Sequence, residues 1–326
     1  MSDSPFLLPD GNVQISFSGG RTSAYMLHEI LKANDGLPDR ARVVFANTGR
    51  EMPATLDFVR DCGERWGVPI TWVEWRPGPA GERFEVVGHN SAARNGEPFE
   101  ALVRERQFLP NLAARFCTAE LKVRAARDYL RSIGWEHWTA AVGIRKDEPK
   151  RHAGKADLRE RWVRWLPLVD AGVGRFDVGS FWNCQSFDLN LKTIRGKCAL
   201  GNCDGCFLKS EEFLAALSRD YPDRAFWWER LEAEISALWE ALSDEERLER
   251  IERRFHEELE DLALSYADGV VPNSVVISLA KNFASGAKFS KRYTRRELRE
   301  WIEKQGDILL STEGVLCQAD EGECVE

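Results

Sequence analysis

The sequence predicts an α/β fold: a Rossmann-like parallel sheet with helices on both faces, followed by a cysteine-rich segment and a helical C-terminal region. Three observations predict it. Short apolar runs alternate with amphipathic helical patterns through the first half of the chain, which is the order of a parallel sheet with right-handed crossovers. The first run, residues 13–17, is followed directly by a Ser-Gly-Gly turn at residues 18–20. A helical pattern starts directly after that turn, as in sheets that bind ligands beyond their strand ends.

The predicted strands are short apolar runs, and each predicted helix has one apolar face. In chain order they are a strand at 13–17, a helix at 23–33, a strand at 42–46, a helix at 54–66, a strand at 70–75, helices at 99–107 and 119–132, and a fourth parallel strand at 138–144. Glycine and proline in residues 76–95 predict a mobile flap. We expect irregular structure in the aromatic stretches 162–169 and 178–191.

The rest of the chain is predicted to be helical. Ser210 is a good N-cap, followed by Glu211 and Glu212 at the positive end of the helix dipole. Two long helices follow, at about 223–242 and 243–266, and the apolar stripe of the second is typical of core or partner-helix surface. We therefore divide the chain into a domain at 1–209 and a helical region at 210–326, ending in a loose acidic tail from 317.

Composition narrows the class of protein. The 326 residues suffice for one sizeable core and an appendage. No run of 18 apolar residues occurs, and the N-terminus lacks the pattern of a signal peptide, so we expect a cytoplasmic protein without membrane contact. Eight cysteines in that compartment suggest ligands or reactive thiols rather than disulfides. Residues 229–261 contain 13 acidic and 5 basic residues, so this segment alone accounts for the net charge of −8. Because the rest of the chain is balanced in charge, the overall acidity does not exclude an anionic partner.

The glycine turn after the first strand predicts a phosphate cradle. Glycines allow close approach of the backbone, and the N–H groups and dipole of the following helix favour an anion. Neither a G-x-x-x-x-G-K loop nor G-x-G-x-x-G is present, which argues against a Walker loop or the usual dinucleotide fold. The candidate phosphate-binding residues are Ser18, Gly19, Gly20, Arg21, Thr22 and Ser23.

A second signal is the C-x4-C-x2-C array of Cys198, Cys203 and Cys206, with interleaved glycines. Tight loops of this kind can direct three thiolates at one centre, either zinc or an iron–sulfur cluster. Cys117 lies just before a predicted helix, where N–H groups and Lys122 would lower a thiol pKa. By itself Cys117 is as consistent with a small core residue as with a ligand.

Several motifs carry a family resemblance. The form Ser18-Gly19-Gly20-x-x-Ser23 resembles the pyrophosphate loop (PP-loop) of the adenine-nucleotide α-hydrolase superfamily, although many members have Asp where this chain has Thr22. Cys117 followed by a distant C-x2-C resembles the cluster pattern of the phosphoadenylyl-sulfate (PAPS) reductase family. The stretch 45–51, with its Thr-Gly pair, and the Gly-Ile-Arg sequence at 143–145 look like two further motifs of that family. The resemblance covers about residues 12–209.

The resemblance implies a nucleotide site and a cluster. ATP or an adenylyl sulfate would bind at the cradle, with Asn47, Thr48 and Gly49 bordering the adenosine. A four-iron–four-sulfur cluster would be held by the cysteines of this pattern; Thr118 replaces the second cysteine of the family pair. Either Cys198 is then the fourth ligand or one iron stays open.

Two cations are the candidate catalytic residues. Arg145 suits bidentate contact with phosphate or sulfate, and Lys122 suits a point-charge contact. Asp147 and Glu148 could bind Mg²⁺ or pair with Arg151.

Three functions are compatible with these features. We favour ATP-dependent adenylation followed by sulfur transfer from the cluster, because the Ser-Gly-Gly loop most resembles the pyrophosphate-releasing members. The second is reduction of an adenylyl sulfate to sulfite, which in the family uses a C-terminal Glu-Cys-Gly-x-His segment; this chain ends in Glu323-Cys324-Val325-Glu326. The third is a non-enzymatic module in which zinc-bound cysteines staple the fold and basic segments hold nucleic acid.

Macromolecular partners are less well defined by the sequence. The basic stretch 288–299 could contact RNA or DNA, or be a solvated helix face. A homo-oligomer is compatible with the sequence.

Overall fold

The computed structural model describes residues 4–152, 161–194, 197–263, 271, 273, 276–277, 287–290 and 292–305. Its main sheet has six strands in the order β4-β3-β2-β1-β5-β6, and only the β3–β4 pair is antiparallel. The strands are β1 (Val13–Ser16), β2 (Ala41–Asn47), β3 (Ile70–Trp75), β4 (Phe84–Val87), β5 (Trp138–Ala141) and β6 (Trp162–Trp165). The predicted parallel α/β fold is therefore confirmed.

Helices cover the sheet and extend beyond it. They are α1 (Arg21–Asn34), α2 (Pro53–Trp66), α3 (Glu97–Arg106), α4 (residues 116–132), α5 (Pro149–His152), α6 (Pro167–Asp170), α7 (Arg175–Asn183), α8 (Glu211–Asp220), α9 (Pro222–Glu240), α10 (Asp244–Ala263) and α11 (Arg295–Gln305). Helix α4 is continuous but contains a π-helical turn, Ala119–Arg124. A hairpin of β7 (Thr193–Ile194) and β8 (Lys197–Cys198) leads into the cysteine loop.

The central strand β1 sets the position of the cradle. Ile15 pairs in register with Val43 of β2 and Ala141 of β5, so the three strands end at the same edge of the sheet. Successive side chains of a strand point to opposite faces. Phe45 faces α2, since it lies beside the space at Gly19 that Thr55 and Val59 also border, and Ala46 faces α4, with which it lines a cavity.

Three predictions for loops were wrong. Residues 76–95 contain β4, which pairs antiparallel with β3. Residues 162–169 contain β6, a fifth parallel strand beside β5, and the short helix α6. Residues 178–191 contain most of α7. The missed strands are four residues long and lie at the edges of the sheet, where one side is exposed and the apolar period is weak.

The C-terminal helices follow their prediction closely. The Ser210 hydroxyl accepts a hydrogen bond from the Phe213 N–H group, which confirms the predicted N-cap of α8. Trp228, Leu231 and Ile235 of α9 are almost fully buried, in the same apolar cluster as the sheet residues. Residues 264–266 of the second predicted helix and the tail at 317–326 lie outside the described residues. Within the described ranges, every helix is too short or too polar to cross a lipid bilayer.

Candidate functional site

The glycine turn joins β1 to α1 with a backbone that only glycine fits. Gly19 has φ +75°, and a Cβ atom there would lie 2.7 Å from the Thr55 methyl group. The Ser18 N–H group and hydroxyl lie 3.2 and 3.0 Å from the Ser23 hydroxyl, which donates to the Gly20 carbonyl. The first N–H groups of a helix have no partner within the helix, so this turn presents donors to an anion.

The Arg21 side chain does not point into this turn as a free cation. Its guanidinium forms a two-pronged ion pair with Asp188, with Nε 2.6 Å from Oδ1. Its carbonyl accepts a hydrogen bond from the Trp182 indole at 2.9 Å. The segment that contains α7 is thus fastened to the start of α1, and only the backbone of Arg21 remains available to the cradle.

Arg145 is brought against the cradle. Its Nη1 donates to the Thr22 hydroxyl at 2.9 Å, and its Nε lies 3.0 Å from Asp147. A Cβ atom on Gly143 would lie 3.2 Å from the Ser23 Cα atom, so the Gly-Ile-Arg segment packs closely on the helix start. Glu148 accepts from the Arg145 N–H group and pairs with Arg151. The predicted ion pair with Arg151 is formed by Glu148, whereas Asp147 pairs with Arg145; Mg²⁺ binding stays a prediction.

The Thr-Gly motif is buried, and its side chains form contacts on two sides, one toward Glu74 and Ala93 and the other toward the cysteine loop. Asn47 donates to Glu74 and to the Ala93 carbonyl at 2.6 and 2.9 Å, and its carbonyl accepts from the Gly49 N–H group. The Thr48 hydroxyl lies 2.9 Å from Glu51 and 3.2 Å from the Cys203 sulfur. Burial raises the pKa of Glu51, against the opposing charge of Lys122. Thr48 therefore belongs to the cysteine side of the site.

Three of the four predicted cysteine ligands border one small cavity. Cys117, Cys203 and Cys206 line it together with Thr48, Lys122 and Trp228, and its volume is about 10 Å³. In the described part of the chain, no three His, Cys, Asp or Glu side chains converge closely enough to hold a metal ion. Thiolates are the ligands that soft metals and iron–sulfur clusters prefer, so the three cysteines that line this cavity are candidate ligands, and the cluster stays a prediction.

Cys198 lies elsewhere. It is half-buried at the end of β8 and does not line the cysteine cavity. Burial raises the pKa of its thiol, while the charges of Lys209 and Arg21 and the N–H groups of Leu200 and Gly201 oppose that shift. Its neighbours thus include the start of α1, on the cradle side. A role as fourth ligand stays a prediction.

A second cavity, of about 90 Å³, lies on the face of the sheet covered by α4. Its lining contains Ser16, Ala46 and Val142, each just before or just beyond the end of a strand, with Trp138, Trp162 and Arg164 farther along the sheet. Lys122 lines this sheet-face cavity and the cysteine cavity alike. Among the described residues, it is the one that lines both cavities.

The π-helical turn explains how Cys117 and Lys122 share a cavity. In an α-helix, residues five apart point in very different directions, because each residue turns the chain by about 100°. In a π-helical turn the hydrogen bonds run from i to i+5, so residues five apart lie about one turn from each other. Cys117 precedes this turn and Lys122 lies inside it. The sequence places no glycine or proline there to announce it.

Sequence reasoning missed the residues that fasten the cysteine loop. Asp204, between the two cysteines, is fully buried; it accepts from Arg50 at 2.9 Å, from the Trp228 indole at 2.7 Å, and from Arg224. The Arg50 guanidinium lies 4.3 Å from the centre of the Trp227 ring. The sequence offered one sign of this role, which is that Asp204 is a charged residue inside a C-x2-C loop, but it does not reveal which residues pair with it.

Comparisons with known proteins point to one family. Residues 12–171 match the model of the phosphoadenosine phosphosulfate reductase domain. A protein of Escherichia phage lambda, described as "Uncharacterized nin region protein ORF290", is 30% identical over 222 residues, which are 63% of this chain and 69% of the phage protein. The matched region contains the cradle, the Thr-Gly motif, Cys117 and Arg145. The chain belongs to the PAPS reductase family of the PP-loop superfamily.

Proposed function

We propose that this PP-loop enzyme uses ATP to adenylate a substrate oxygen and then inserts sulfur, with an iron–sulfur cluster held by Cys117, Cys203 and Cys206. The observation that carries the proposal is the shared position of Lys122 between the sheet-face cavity and the cysteine cavity. A nucleotide on the sheet side and a sulfur centre on the other would meet at this cation. Neither cavity alone would suggest two consecutive steps.

The nucleotide would lie along the carboxyl edge. N–H groups after Gly19 and Gly20 would hold the terminal phosphates. The adenine would enter the sheet-face cavity, whose lining residue Ser16 is two residues from the cradle at Ser18; this differs from the expectation that Asn47, Thr48 and Gly49 border the adenosine, since none of them lines that cavity. Arg145, which hydrogen-bonds to Thr22 of the cradle, would supply a charge contact with the phosphates.

The first step would be attack of the substrate oxygen on the α-phosphorus. An oxygen–phosphorus bond forms, the bond between the α- and β-phosphates breaks, and pyrophosphate leaves into the cradle. Donors fixed in place before the reaction stabilise the growing negative charge of the leaving group without reorganisation. Lys122 would hold the adenylyl group near the cysteines.

In the second step a sulfur nucleophile would displace AMP from the activated carbon, with no net oxidation. The bound cluster would supply or hold that sulfur. The chain's contribution is to enclose the reaction: Phe99, Leu121 and Trp228 line the cysteine cavity and keep its polar surface small. Exclusion of water protects an adenylated intermediate from hydrolysis.

Exchange of labelled pyrophosphate into ATP tests the first step. Gly19→Ala should lower the exchange rate about tenfold or more, because a Cβ atom there clashes with Thr55 and strains a left-handed backbone. Gly179→Ala is the matched control, since a Cβ atom at Gly179 meets nothing within 4 Å. Equal exchange in the wild type and Gly19→Ala would argue against the cradle, and exchange absent from the wild type with every acceptor tried would argue against adenylation.

Anaerobic iron and sulfide content tests the cysteine assignment. Cys203→Ala should lose the cluster, whereas Cys184→Ala should retain it because Cys184 is exposed at the end of α7. Unchanged iron in Cys203→Ala would show that the ligand assignment is wrong. Zinc in place of iron would support the non-enzymatic alternative.

Reduction of an adenylyl sulfate is the second candidate, because the matching family model is that of the phosphoadenosine phosphosulfate reductase domain. It would require a thiol nucleophile, for which Cys324 is the candidate; that residue lies outside the described ranges. Release of sulfite from an adenylyl sulfate in the presence of thioredoxin, lost in Cys324→Ser, would favour reduction over adenylation.

A further inference from the structure

Three arginines from distant parts of the chain contact the cysteine loop, residues 203–206. Arg50 follows the Thr-Gly pair, Arg224 is in the first turn of α9, and Arg295 is the first residue of α11. We propose that Arg295 is a positioning residue for Cys203 and Cys206, so that the C-terminal helix completes the cysteine site. The inference rests on the proposed function, because it assigns the loop a role in holding the sulfur centre.

The contact is direct and specific. Arg295 Nη2 donates to the Gly205 carbonyl at 2.7 Å, between Asp204 and Cys206. Gly205 also packs closely on α9, since a Cβ atom there would lie 2.2 Å from the Trp228 indole nitrogen. Both the Trp228 ring and the Arg295 guanidinium therefore contact the loop at Gly205.

Arg295 is itself fixed in place. Its N–H group donates to Glu232 of α9, and its guanidinium lies 5.3 Å from the centre of the Phe289 ring. Glu232 also accepts from the Phe289 N–H group at 2.9 Å. A side chain ordered before the ligand arrives loses little entropy on holding the loop.

The charge around the loop favours an anionic centre. The three guanidinium groups and Lys122 surround the loop together with three carboxylates, those of Asp204, Glu232 and Glu51, the last of which lies 4.0 Å from the Cys203 sulfur. Burial lowers the pKa of Arg295, and the nearby Glu232, Cys206 and Asp204 oppose that shift. Excess positive charge beside thiolates stabilises their negative charge.

The same contacts give part of the basic stretch 288–299 a role within the molecule. Arg296 and Arg299 pair with Glu229 of α9, each with Nε 2.9 Å from a carboxylate oxygen. Arg295 points to the loop instead, although it is the neighbour of Arg296. The two adjacent arginines therefore provide a matched comparison: one contacts the cysteine loop and the other pairs at the surface.

The first test measures alkylation of individual cysteines by N-ethylmaleimide in the metal-free full chain, followed by mass spectrometry. Rates are measured over a range of pH and compared at their high-pH limit, so that a change in the thiolate fraction is not counted as a change in access. Arg295→Met should raise the rates at Cys203 and Cys206 about tenfold, the effect of losing one charged hydrogen bond on local opening. Arg295→Lys should restore much of the protection, and Arg296→Met should leave both rates unchanged. Unchanged rates in Arg295→Met would overturn the inference.

Two other cysteines serve as internal references. Cys62 is fully buried in α2, and Cys184 is exposed. If Arg295 acts on the loop, Cys62 stays protected in Arg295→Met. A parallel rise at Cys62 would overturn the inference, because it would show a general loss of stability rather than a local one.

The second test measures the midpoint potential after anaerobic reconstitution with iron and sulfide. Loss of a nearby positive charge should make the potential of Arg295→Met more negative, and Arg295→Lys should return it toward the wild-type value. An equal potential in all three proteins would overturn the electrostatic role. If the wild type binds no iron, the cluster proposal fails, and the alkylation rates alone decide the role of Arg295.

Discussion

Two glycines allow the paired tryptophans of α9 to reach the site. A Cβ atom on Gly96 would lie 2.4 Å from the Trp227 ring, and one on Gly205 would lie 2.2 Å from the Trp228 ring. Both tryptophans also contact Arg50 or its partner Asp204. Each aromatic ring thus packs directly on backbone, which no residue with a side chain would permit.

Gly205→Ala should therefore destabilise the protein by about 2 kcal/mol, because the added methyl group forces the Trp228 ring or the cysteine loop to move. Urea denaturation followed by tryptophan fluorescence measures the change. Gly179→Ala is the control; it lies in α7 with open space around it and should stabilise the helix slightly. Equal stability of Gly205→Ala and the wild type would contradict the packing described here.

At this scale the sequence predicted functional residue types better than their partners. The Ser18–Ser23 turn and the shared cavity of Cys117, Cys203 and Cys206 were accessible, because glycines and spaced cysteines have few structural uses. The positions of Arg50, Asp204 and Arg295 were not accessible. The Arg50–Asp204 and Arg295–Gly205 contacts join residues 154 and 90 positions apart, and nothing local distinguishes a buried ion pair from surface charge.

Helices α9 and α11 are joined by a charged pair network at Glu229. Burial alone would raise the pKa of this carboxyl, but hydrogen bonds from Arg299 and Arg296 outweigh burial and lower it. A carboxyl whose pKa is lowered in the folded state stabilises the protein above its unfolded pKa, near 4.5. That stabilisation is lost as the pH falls through the lowered value.

Glu229→Gln should accordingly cost about 1–2 kcal/mol of unfolding free energy at neutral pH and progressively less below the unfolded pKa. Stability curves of the two proteins across the acid range measure this convergence. Glu303→Gln is the control. Glu303 is an exposed partner of Arg299, so its loss should have a smaller effect on stability. A difference that stays constant with pH would contradict the role of the charge.

Most helices and strands of the first half were predictable because the apolar residues of each follow the spacing that is typical of that element. Strand β3 and helix α2 match their prediction within one residue, with Pro53 at the start of the helix. Strand β6 was missed because Val163 points to solvent and the pairing with β5 comes from Trp162 stacking on Trp138, 5.4 Å between ring centres. Cross-strand pairs of this kind are visible only once the strands are aligned.

The molecule as a whole shares one apolar core between the sheet and α9. Trp228, Leu231 and Ile235 contribute to it, and each is at most 1% exposed. Burial of three such side chains is worth about 2 kcal/mol each, which together approaches the net stability of a typical domain. The predicted boundary at residue 209 therefore falls beside a helix on which the core depends.

We expect the fragment 1–209 to lack a cooperative thermal transition, because it loses this part of the core. Calorimetry of the fragment and of the full chain measures the difference. A sharp transition in the fragment, with dispersed NMR signals, would instead establish residues 1–209 as an autonomous domain.

The π-helical turn of α4 has a consequence for length variation. Removing one residue after Lys122, at Val123 or Arg124, would restore regular α-helical winding with Lys122 still five residues from Cys117, and would swing the lysine about 100° around the axis relative to that cysteine. A single-codon deletion there would keep the helix, the cysteines and the fold, yet carry the lysine out of one of the two enclosures it borders. Relatives that differ by one residue in this turn should therefore have diverged in chemistry before they diverged in architecture.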